Sequence, residues 1–334
     1  MRNPHGGIDM KALEFLREMR PAQTRLVAEI AAHGQLQRAA AACGLTQPAA
    51  SRALAEIETR LGQRLFLRRP KGMEPTPVGA LVARRARSLL QEQALLAGEF
   101  ADLTSGRGGL ARVGAVTGPA LRHLAPAIQG LKGEAPGVDV SVEVAPSATL
   151  VGMLERGELD FALARLPPGF DDRGFLIESA REEVVRLMVR DGHPLLGRGP
   201  VSMRDLHGLP WVLQDHGAPI RRVIEAAFHD EALSSPADVA TTSSLLMIVA
   251  LLRDSDAVAP MSQEVTDLML EPPVSAGFRR LPLDRSLIVE PYLILRARGR
   301  EISRAAEALF ARVRDSIRQA AREAARQAAE DPGP

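Results

Sequence analysis

The sequence predicts an α/β protein in which a small helical domain, one long helix and a larger α/β domain follow one another. Between about residues 21 and 61, apolar residues recur at helical spacing in three short segments, which Gly34 and Gly44 separate. From Pro77 to about Leu103, one helical pattern continues without a break. Beyond residue 109, short strand-like runs alternate with amphipathic helical runs, which is typical of a parallel sheet covered by helices.

The composition is that of a folded protein with several domains. The chain has 334 residues, of which 46% are hydrophobic, enough for two or three domains with cores of their own. There is no run of about 18 apolar residues, and the N-terminus lacks the apolar segment of a signal peptide. One cysteine, Cys43, excludes an internal disulfide framework. We expect a cytoplasmic protein without a metal, a cofactor or a membrane contact.

Positive charge is concentrated near the N-terminus. Residues 1–76 contain 12 Lys and Arg against 7 Asp and Glu, whereas the whole chain has a net charge of only +1. Five basic residues lie within residues 60–71, and no acidic residue lies among them. An anionic partner of this domain is indicated, although a solvated basic surface would explain the charge equally well if it stood alone.

The second and third helical segments are joined by a turn of the length and chemistry found in a helix-turn-helix. Gly44 is expected to adopt the left-handed conformation that ends the second helix. Pro48 is tolerated only in the first turn of a helix, so the third helix begins near Thr46 or Gln47. The apolar residues of the three segments are Leu26, Val27 and Ile30, then Leu36, Ala39, Ala40 and Cys43, then Ala50, Ala53, Leu54, Ile57 and Leu61.

The outer side of the third helix is small and begins with Gln47, Ser51 and Arg52. A helix in the DNA major groove needs amide or guanidinium groups for base edges and no bulk that keeps the backbone away. The Ser51 hydroxyl and the first N–H groups of the helix suit phosphates. This helix is therefore predicted to contact DNA.

A short apolar strand follows and leads into a basic loop bounded by Pro and Gly. This pattern predicts the wing of a winged helix, placed over the DNA backbone or the minor groove. Its basic residues are Arg64, Arg68, Arg69 and Lys71.

The long helix carries a stripe that repeats every seven residues, as in helices that pair with one another. A helix packed on its own domain would also fit so narrow a stripe. Gln93 is the one polar residue of the seam. The seam consists of Val82, Ala86, Leu89, Gln93, Leu96, Phe100 and Leu103.

The run AAAACGLTQPAASRALAEIETRLGQRLFLRRPKGMEPTPVG resembles the winged helix-turn-helix of LysR-type transcriptional regulators, with almost every position of the family pattern filled over residues 39–79. Farther along the chain, LERGELDFALARL resembles the family's LxxGxLDxAL signature, and DGHPL resembles its HPL turn. The resemblance implies an effector-responsive transcription factor that pairs through its linker helix, assembles as dimers or tetramers and acts on RNA polymerase. It also implies DNA contacts at Gln47, Pro48, Ser51, Arg52 and Arg68.

The resemblance further implies a C-terminal domain with the two-lobed fold of type 2 periplasmic binding proteins. We expect the chain to cross between lobes near residues 164–167 and 281–284. The expected limits are 1–76 for the winged helix-turn-helix, with an extension at 1–20; 77–104 for the linker helix; 109–322 for the effector domain, with lobe 1 at about 110–165 and 283–322 and lobe 2 at about 166–282; and 323–334 for an exposed tail.

Ligands of open α/β sheets bind beyond the carboxyl ends of the strands, where helix N-termini direct N–H groups outward. The strand ends here carry hydroxyl and amide groups, and Arg165 would add a positive charge. A small polar metabolite, a carboxylate or a sugar acid, is the expected effector. For any single hydroxyl, a role as a helix cap is the simpler explanation. The candidates are Thr117, Gly118, Ser147, Thr149, Arg165, Gln214, His216, Gly217, Thr242 and Met261.

Other functions fit less well. Phosphate-binding glycine motifs are absent, and neither a pair of catalytic carboxylates nor a nucleophile with a partner histidine can be identified. A solute-binding protein would need an export signal and no helix-turn-helix, and a purely architectural DNA-binding protein would lack the second domain. A repressor that needs no effector stays open.

Overall fold

The computed structural model describes residues 10–70, 72–105 and 108–330. The chain divides after residue 107 into two compact units, residues 1–107 and 108–334. Among the described residues, no helix is both long and apolar enough to cross a bilayer, and no three His, Cys, Asp or Glu side chains are grouped as metal ligands. The first unit contains α1 (Met10–Glu18), α2 (Pro21–His33), α3 (Leu36–Ala42), α4 (Gln47–Leu61), β1 (Phe66–Arg69), β2 (Gly72–Pro75) and α5 (Pro77–Ser105).

Helices α2, α3 and α4 form one core, and the predicted apolar stripes supply most of it. Only Cys43 and Ala53 of the predicted set are partly exposed, at the margin of the core. Gly44 has a φ of +67°, which confirms the predicted left-handed turn, and the Leu45 N–H donates to the Ala40 carbonyl at 2.8 Å. The Thr46 side chain caps α4, so the predicted start of this helix is confirmed.

Helix α1 was not predicted. Its nine residues hold one large side chain that is fully buried, Phe15, which joins the core of α2 to α4. The Arg60 guanidinium of α4 lies 4.2 Å from the centre of the Phe15 ring. A cation over an aromatic face is attracted to it. Phe15 of α1 therefore keeps Arg60, one of the five basic residues at 60–71, packed against the protein surface.

Strands β1 and β2 form an antiparallel ribbon in which Arg68 lies opposite Met73. The Met73 N–H donates to the Gly34 carbonyl at 2.7 Å, which fastens the returning strand to the end of α2. The backbones are so close there that a Cβ on Gly72 would collide with the Gly34 carbonyl. The ribbon is therefore a wing whose turn end, next to the pair Arg69–Gly72, is fixed against the end of α2.

The predicted seam of α5 is divided into two parts. Val82 and Ala86 are buried, and α5 packs on α2 of its own unit. For these two positions the prediction of a pairing surface is wrong, because the first turns of α5 complete the core of the winged domain. Leu89, Leu96 and Phe100 are 58%, 69% and 68% exposed, and Gln93 is also exposed. The side chain of Leu103 lies outside the described residues.

The second unit contains two main sheets. The first sheet has five strands in the order β4-β3-β5-β13-β6, and helices α6 to α8 and α13 belong to the same lobe. The elements are β3 (Leu110–Ala115), α6 (Thr117–Pro119), a π-helical turn (Ala120–Leu124), α7 (Ala125–Glu134), β4 (Asp139–Val144), α8 (Ser147–Arg156), β5 (Phe161–Ala164), β6 (Phe175–Ser179), β13 (Leu293–Ala297) and α13 (Arg304–Glu330).

The second lobe is built around β7, which pairs with β10, β11 and β12. Strands β8 and β9 form a separate parallel pair beside it. The elements are β7 (Glu183–Arg190), α9 (Met203–Leu206), β8 (Trp211–Leu213), α10 (Pro219–Asp230), β9 (Val239–Thr241), α11 (Leu245–Arg253), β10 (Ala259–Ser262), α12 (Gln263–Leu270), β11 (Phe278–Leu281) and β12 (Leu287–Val289).

Two expectations about this unit need correction. Among the named strands of the described residues, β3 pairs in parallel with β4 and β5, and β8 with β9, whereas β13 and all partners of β7 are antiparallel. Strand β6 belongs to the first sheet and β12 to the second, so the chain crosses between lobes near 180–182 and 290–292, later than predicted. The strands that follow each crossing run back along their neighbours, which local sequence patterns do not indicate.

We expect Phe15→Ala to lower the stability of the first unit by about 3–5 kcal/mol, because it leaves a cavity in a close-packed core. In calorimetry of the full chain, the transition of this unit should move down by more than 10 °C, as about 1 kcal/mol corresponds to roughly 4–8 °C in a domain of this size. Leu13→Ala, on the partly exposed side of α1, is the control. Equal small shifts in both variants would show that α1 is not anchored by Phe15.

Candidate functional site

The first turns of α4 present a polar surface opposite the buried stripe. Gln47, Pro48 and Arg52 are exposed and Ser51 is half-buried, as the helical period predicts when Ala50 and its apolar companions face inward. The small side chains between them leave the helix backbone accessible. This face can enter a groove and offer an amide and a guanidinium to base edges.

The wing is joined to this face by a direct hydrogen bond. The Arg68 guanidinium of β1 donates to the Ser51 hydroxyl at 2.8 Å. An open groove of about 650 Å³ lies between α4 and β1, with Glu58 and Arg64 among its lining residues. The sequence predicted each of these two elements separately but did not predict that they touch.

The other basic residues of the wing differ in whether they already have a partner within the protein. Arg64 is exposed at the start of the ribbon. Arg69 forms an ion pair with Glu74 across the ribbon at 3.0 Å, with both side chains more than half exposed, so a phosphate would compete with this carboxylate. Lys71 lies outside the described residues.

In the second unit, the predicted residues of the first lobe lie at strand and helix ends. Thr117 is exposed at the start of α6, and Thr149 is exposed in the first turn of α8. The Ser147 hydroxyl accepts the Arg165 N–H at 3.0 Å, which ties the start of α8 to the end of β5. These hydroxyls can still donate to a ligand.

On the second lobe, one buried arginine that the sequence analysis missed organises the predicted residues. The Arg221 guanidinium donates to the Gln214 carbonyl at 3.0 Å and to the Glu225 carboxylate at 2.7 Å. It also donates to His216 Nε2 at 3.2 Å. Since arginine has no acceptor, this ring nitrogen must be the unprotonated one. Arg221 thus fixes the loop that runs from Gln214 to Gly217, which ends with a φ of +82° at Gly217.

Arg165 is buried, but it is not a free positive charge. Its guanidinium donates to Glu183 Oε2 at 2.8 Å and to the Glu290 carbonyl at 2.7 Å. Burial raises the pKa of the Glu183 carboxyl, and Arg165 opposes this rise. The expectation that Arg165 brings an uncompensated charge is therefore wrong, because Glu183, 18 residues farther along, neutralises it.

Two further candidates are less accessible than predicted. Met261 is 4% exposed and packs in the core of the second lobe, so it does not line an open cleft. Gly118 is buried beneath the second lobe, where a Cβ would collide with the Glu183 carboxylate and lie 3.0 Å from the Ser262 hydroxyl. Thr242 is half-buried, and its hydroxyl accepts the Ser244 N–H at 3.1 Å, a local capping role.

Comparison with known families decides the identity of both units. The model of the bacterial regulatory helix-turn-helix protein of the lysR family matches residues 21–80, and the model of the LysR substrate binding domain matches residues 104–318. The chain belongs to the LysR family of transcriptional regulators. Members of this family are regulators of transcription and not enzymes.

Named relatives agree with this assignment. The LysR-type chain is 37% identical over 247 residues to the HTH-type transcriptional regulator GbpR of Rhizobium radiobacter, which covers 73% of this chain and 82% of the relative. It is 33% identical to GbpR of Azospirillum brasilense over 84% of this chain and 82% of the relative. The chain is thus a LysR-type DNA-binding regulator with an effector-binding domain.

Solved structures show the same fold. A variant of full-length OxyR from Pseudomonas aeruginosa superposes with a TM-score of 0.59 at 22% identity and covers 90% of this chain and 97% of its own. Full-length CbnR complexed with its target DNA superposes with a TM-score of 0.55 at 18% identity and covers 90% and 99%. At such identities the comparison supports the fold alone.

A buried polar cluster in the effector domain of this LysR-type regulator was not predicted. His123, on the π-helical turn, lies 2.9 Å from the Ser316 hydroxyl and 2.8 Å from the Tyr292 hydroxyl. Burial, with Arg122 and Arg181 nearby, lowers the pKa of His123 to about 4. Burial raises the pKa of Tyr292. The ring is therefore neutral at physiological pH and joins Ser316 of α13 to Tyr292, at the second crossing between the lobes.

We expect His123 to make the effector domain sensitive to acid. An unfolded histidine has a pKa of about 6.5, so between that pH and about 4 the unfolded chain binds a proton that the folded chain does not. Stability is fully present above about pH 6.5 and falls as the pH decreases toward 4. In urea unfolding followed by Trp211 fluorescence, His123→Gln should flatten this decline, whereas His229→Gln, at an exposed position, should not. Parallel profiles for the wild type and His123→Gln would contradict the assignment.

Proposed function

We propose that this LysR-type regulator binds its DNA through one continuous surface made of the first two turns of α4 and the wing. The hydrogen bond between Ser51 and Arg68 carries this proposal, because it joins the two elements at their outer faces. The DNA contacts we assign are Gln47, Pro48, Ser51, Arg52, Arg64, Arg68, Arg69 and Lys71.

The contacts divide by chemistry. Gln47 and Arg52 have the bidentate groups that recognise adenine and guanine edges in the major groove. Ser51 and the wing arginines suit phosphates, which set register but carry no sequence information. The match of residues 21–80 to the helix-turn-helix model of the lysR family supports this placement.

We infer that two chains pair through the outer half of α5, which is the segment 77–104 in our division of the chain. Leu89, Gln93, Leu96 and Phe100 recur on one exposed stripe, and apolar residues at such spacing pair helices. Two winged helices would then meet half-sites roughly 34 Å apart, or a multiple of this. Members of the family usually form tetramers from two such dimers through their effector domains, and we propose the same assembly here.

We propose that the effector binds between the lobes of the domain at 109–322. Strand-end hydroxyl, amide and N–H groups support a small polar metabolite, a carboxylate or a sugar acid. Since Arg165 and Arg221 are already paired, a bound carboxylate would be held by N–H and OH groups. The residues we assign with accessible groups are Thr117, Ser147, Thr149, Gln214, His216 and Gly217.

Effector binding would change the angle between the lobes and so the contact of the assembly with promoter DNA and RNA polymerase. This step follows from the family. A protein that binds promoter DNA of a bacterium acts in the cytoplasm, which is the location we propose.

We expect Arg52→Ala to weaken binding to a duplex that the wild-type chain selects from a random library. One base contact contributes about 1–3 kcal/mol, so affinity should fall roughly 5- to 150-fold, with relaxed preference at one position. Arg222→Ala, at an exposed position of α10, removes the same charge and should leave affinity unchanged. An unchanged footprint of Arg52→Ala, with the oligomer intact, would exclude Arg52 from the interface.

We expect a thermal-shift screen of carboxylates, aromatic acids and sugar acids on the full chain to reveal a stabilising compound, since saturation at about 100 times the Kd adds about 2.7 kcal/mol. Thr117→Val should abolish the response to that compound without changing DNA affinity. Thr59→Val, whose hydroxyl donates to the Ala55 carbonyl in the first unit, is the control. An unchanged titration would place the pocket elsewhere, and a screen without a stabilising compound would favour a repressor that needs no effector.

A further inference from the structure

The side chain of Glu58 lies at the base of the wing. Glu58 follows Ser51 by seven residues, about two helical turns, so both project from the same side of α4. Ser51 accepts the hydrogen bond from Arg68, and Glu58 faces the beginning of β1. Helix α4 therefore holds β1 at two points, one near each end of the strand.

The contact made by Glu58 is a strong one. One carboxylate oxygen, Oε1, accepts the N–H of Leu65 at 2.8 Å and the N–H of Phe66 at 3.1 Å. Hydrogen bonds to an ionised acceptor are stronger than those between neutral groups. Phe66 is 2% exposed, so the backbone at this point has little water to replace the carboxylate.

The opposite side of the same peptide is closed by the start of α5. The Thr76 N–H donates to the Leu65 carbonyl at 2.9 Å, and the Thr76 hydroxyl donates to the Arg64 carbonyl at 2.8 Å. Gly79 is so close that a Cβ there would collide with the Leu65 carbonyl. The start of β1, at Leu65 and Phe66, thus lies between α4 and the start of α5. The side chain of Glu58 provides its hydrogen bonds to α4.

This enclosure determines where Arg68 lies. Residues two apart in a strand project to the same side, so Arg68 follows Phe66 on the side that faces α4. A shift of the strand entry would move the Arg68 guanidinium away from Ser51 and from the helix face that carries Gln47.

We propose that Glu58 is a positioning residue for DNA binding: it holds the wing in register with the recognition helix α4, so that Arg68 and the first turns of α4 meet the same DNA segment. It acts through Arg68 and does not itself touch DNA. This inference rests on the proposed DNA contact of Arg68.

A double-mutant cycle in the full chain tests the proposal, because only residues that act through one another are non-additive. Binding is measured to the duplex selected by the wild-type chain and to a scrambled duplex of the same length. We expect Glu58→Gln to weaken binding to the selected duplex about 5- to 10-fold, and to lower the salt slope by about one. In the Arg68→Ala background the same change should cost less than about twofold, whereas in the Gln47→Ala background it should keep its full effect.

Glu56→Gln is the matched control. It removes the same charge from the same helix, at an exposed side chain whose ion pair with Arg20 is 3.9 Å long. A gain in affinity common to both variants reports the lost negative charge, and only the difference between them belongs to the wing. Glu58→Asp, which keeps the charge but withdraws the oxygens, should bind as weakly as Glu58→Gln, and calorimetry confirms that each variant is folded.

Three results would overturn the inference: equal losses from Glu58→Gln with and without Arg68, an unchanged salt slope, or no loss beyond that of Glu56→Gln. If Arg68→Ala alone leaves affinity and salt slope unchanged, the proposed contact of Arg68 fails. A remaining effect of Glu58→Gln in that case would show that Glu58 acts by another route, so the two failures are distinguishable.

Discussion

The packing of α4 against α2 and α3 is the constraint on which the DNA-binding unit depends. A helix repeats every 3.6 residues, so burial of one apolar stripe decides which side chains remain outside. The left-handed turn at Gly44 sets the direction in which α4 leaves α3. The start of the wing then donates a hydrogen bond to Glu58 of α4, and the Thr76 hydroxyl, just before α5, donates to the Arg64 carbonyl. The surface offered to DNA is thus a consequence of the core beneath it.

The two buried arginines of the effector domain that lie near the candidate residues, Arg165 and Arg221, are each paired with a carboxylate. Arg165 is paired with Glu183 at 2.8 Å, and Arg221 with Glu225 at 2.7 Å. A charge withdrawn from water is costly unless a partner and hydrogen bonds compensate it, and removing one partner costs more than the pair contributes. In the effector site that we propose, ligand recognition would depend on the neutral groups that contact these pairs, such as the Ser147 hydroxyl and the Gln214 backbone.

The winged helix-turn-helix could be predicted because its signals are local. Gly44, Pro48 and a stripe of apolar residues each act within one or two turns of chain, and the structure agrees at all of them. The contact that joins the wing to α4 arises between residues farther apart, Arg68 and Ser51, 17 positions apart, and no pattern of spacing indicates it. The same holds for the buried contact of His123 with Tyr292, 169 positions apart. Glu58 carried a weak signal: it is an acid on the Ser51 side of α4, next to the turn into the wing. Helix α1 was not predicted, because its one buried side chain, Phe15, does not produce a periodic apolar pattern.

Helix α5 has a mechanical consequence that its sequence alone does not express. Its first turns are built into the winged domain, through the Thr76 hydroxyl, which accepts the Gly79 N–H, and through buried Val82, while the stripe that we propose for pairing lies on its outer half. With 29 residues it is a rod roughly 40 Å long. If two copies pair as proposed, a change of about 10° in the crossing angle of two such rods would change the separation of the two winged domains by roughly 7 Å, about two base-pair steps along DNA. The angle at which two copies cross would therefore select the spacing of the half-sites, while the side chains of α4 select their sequence.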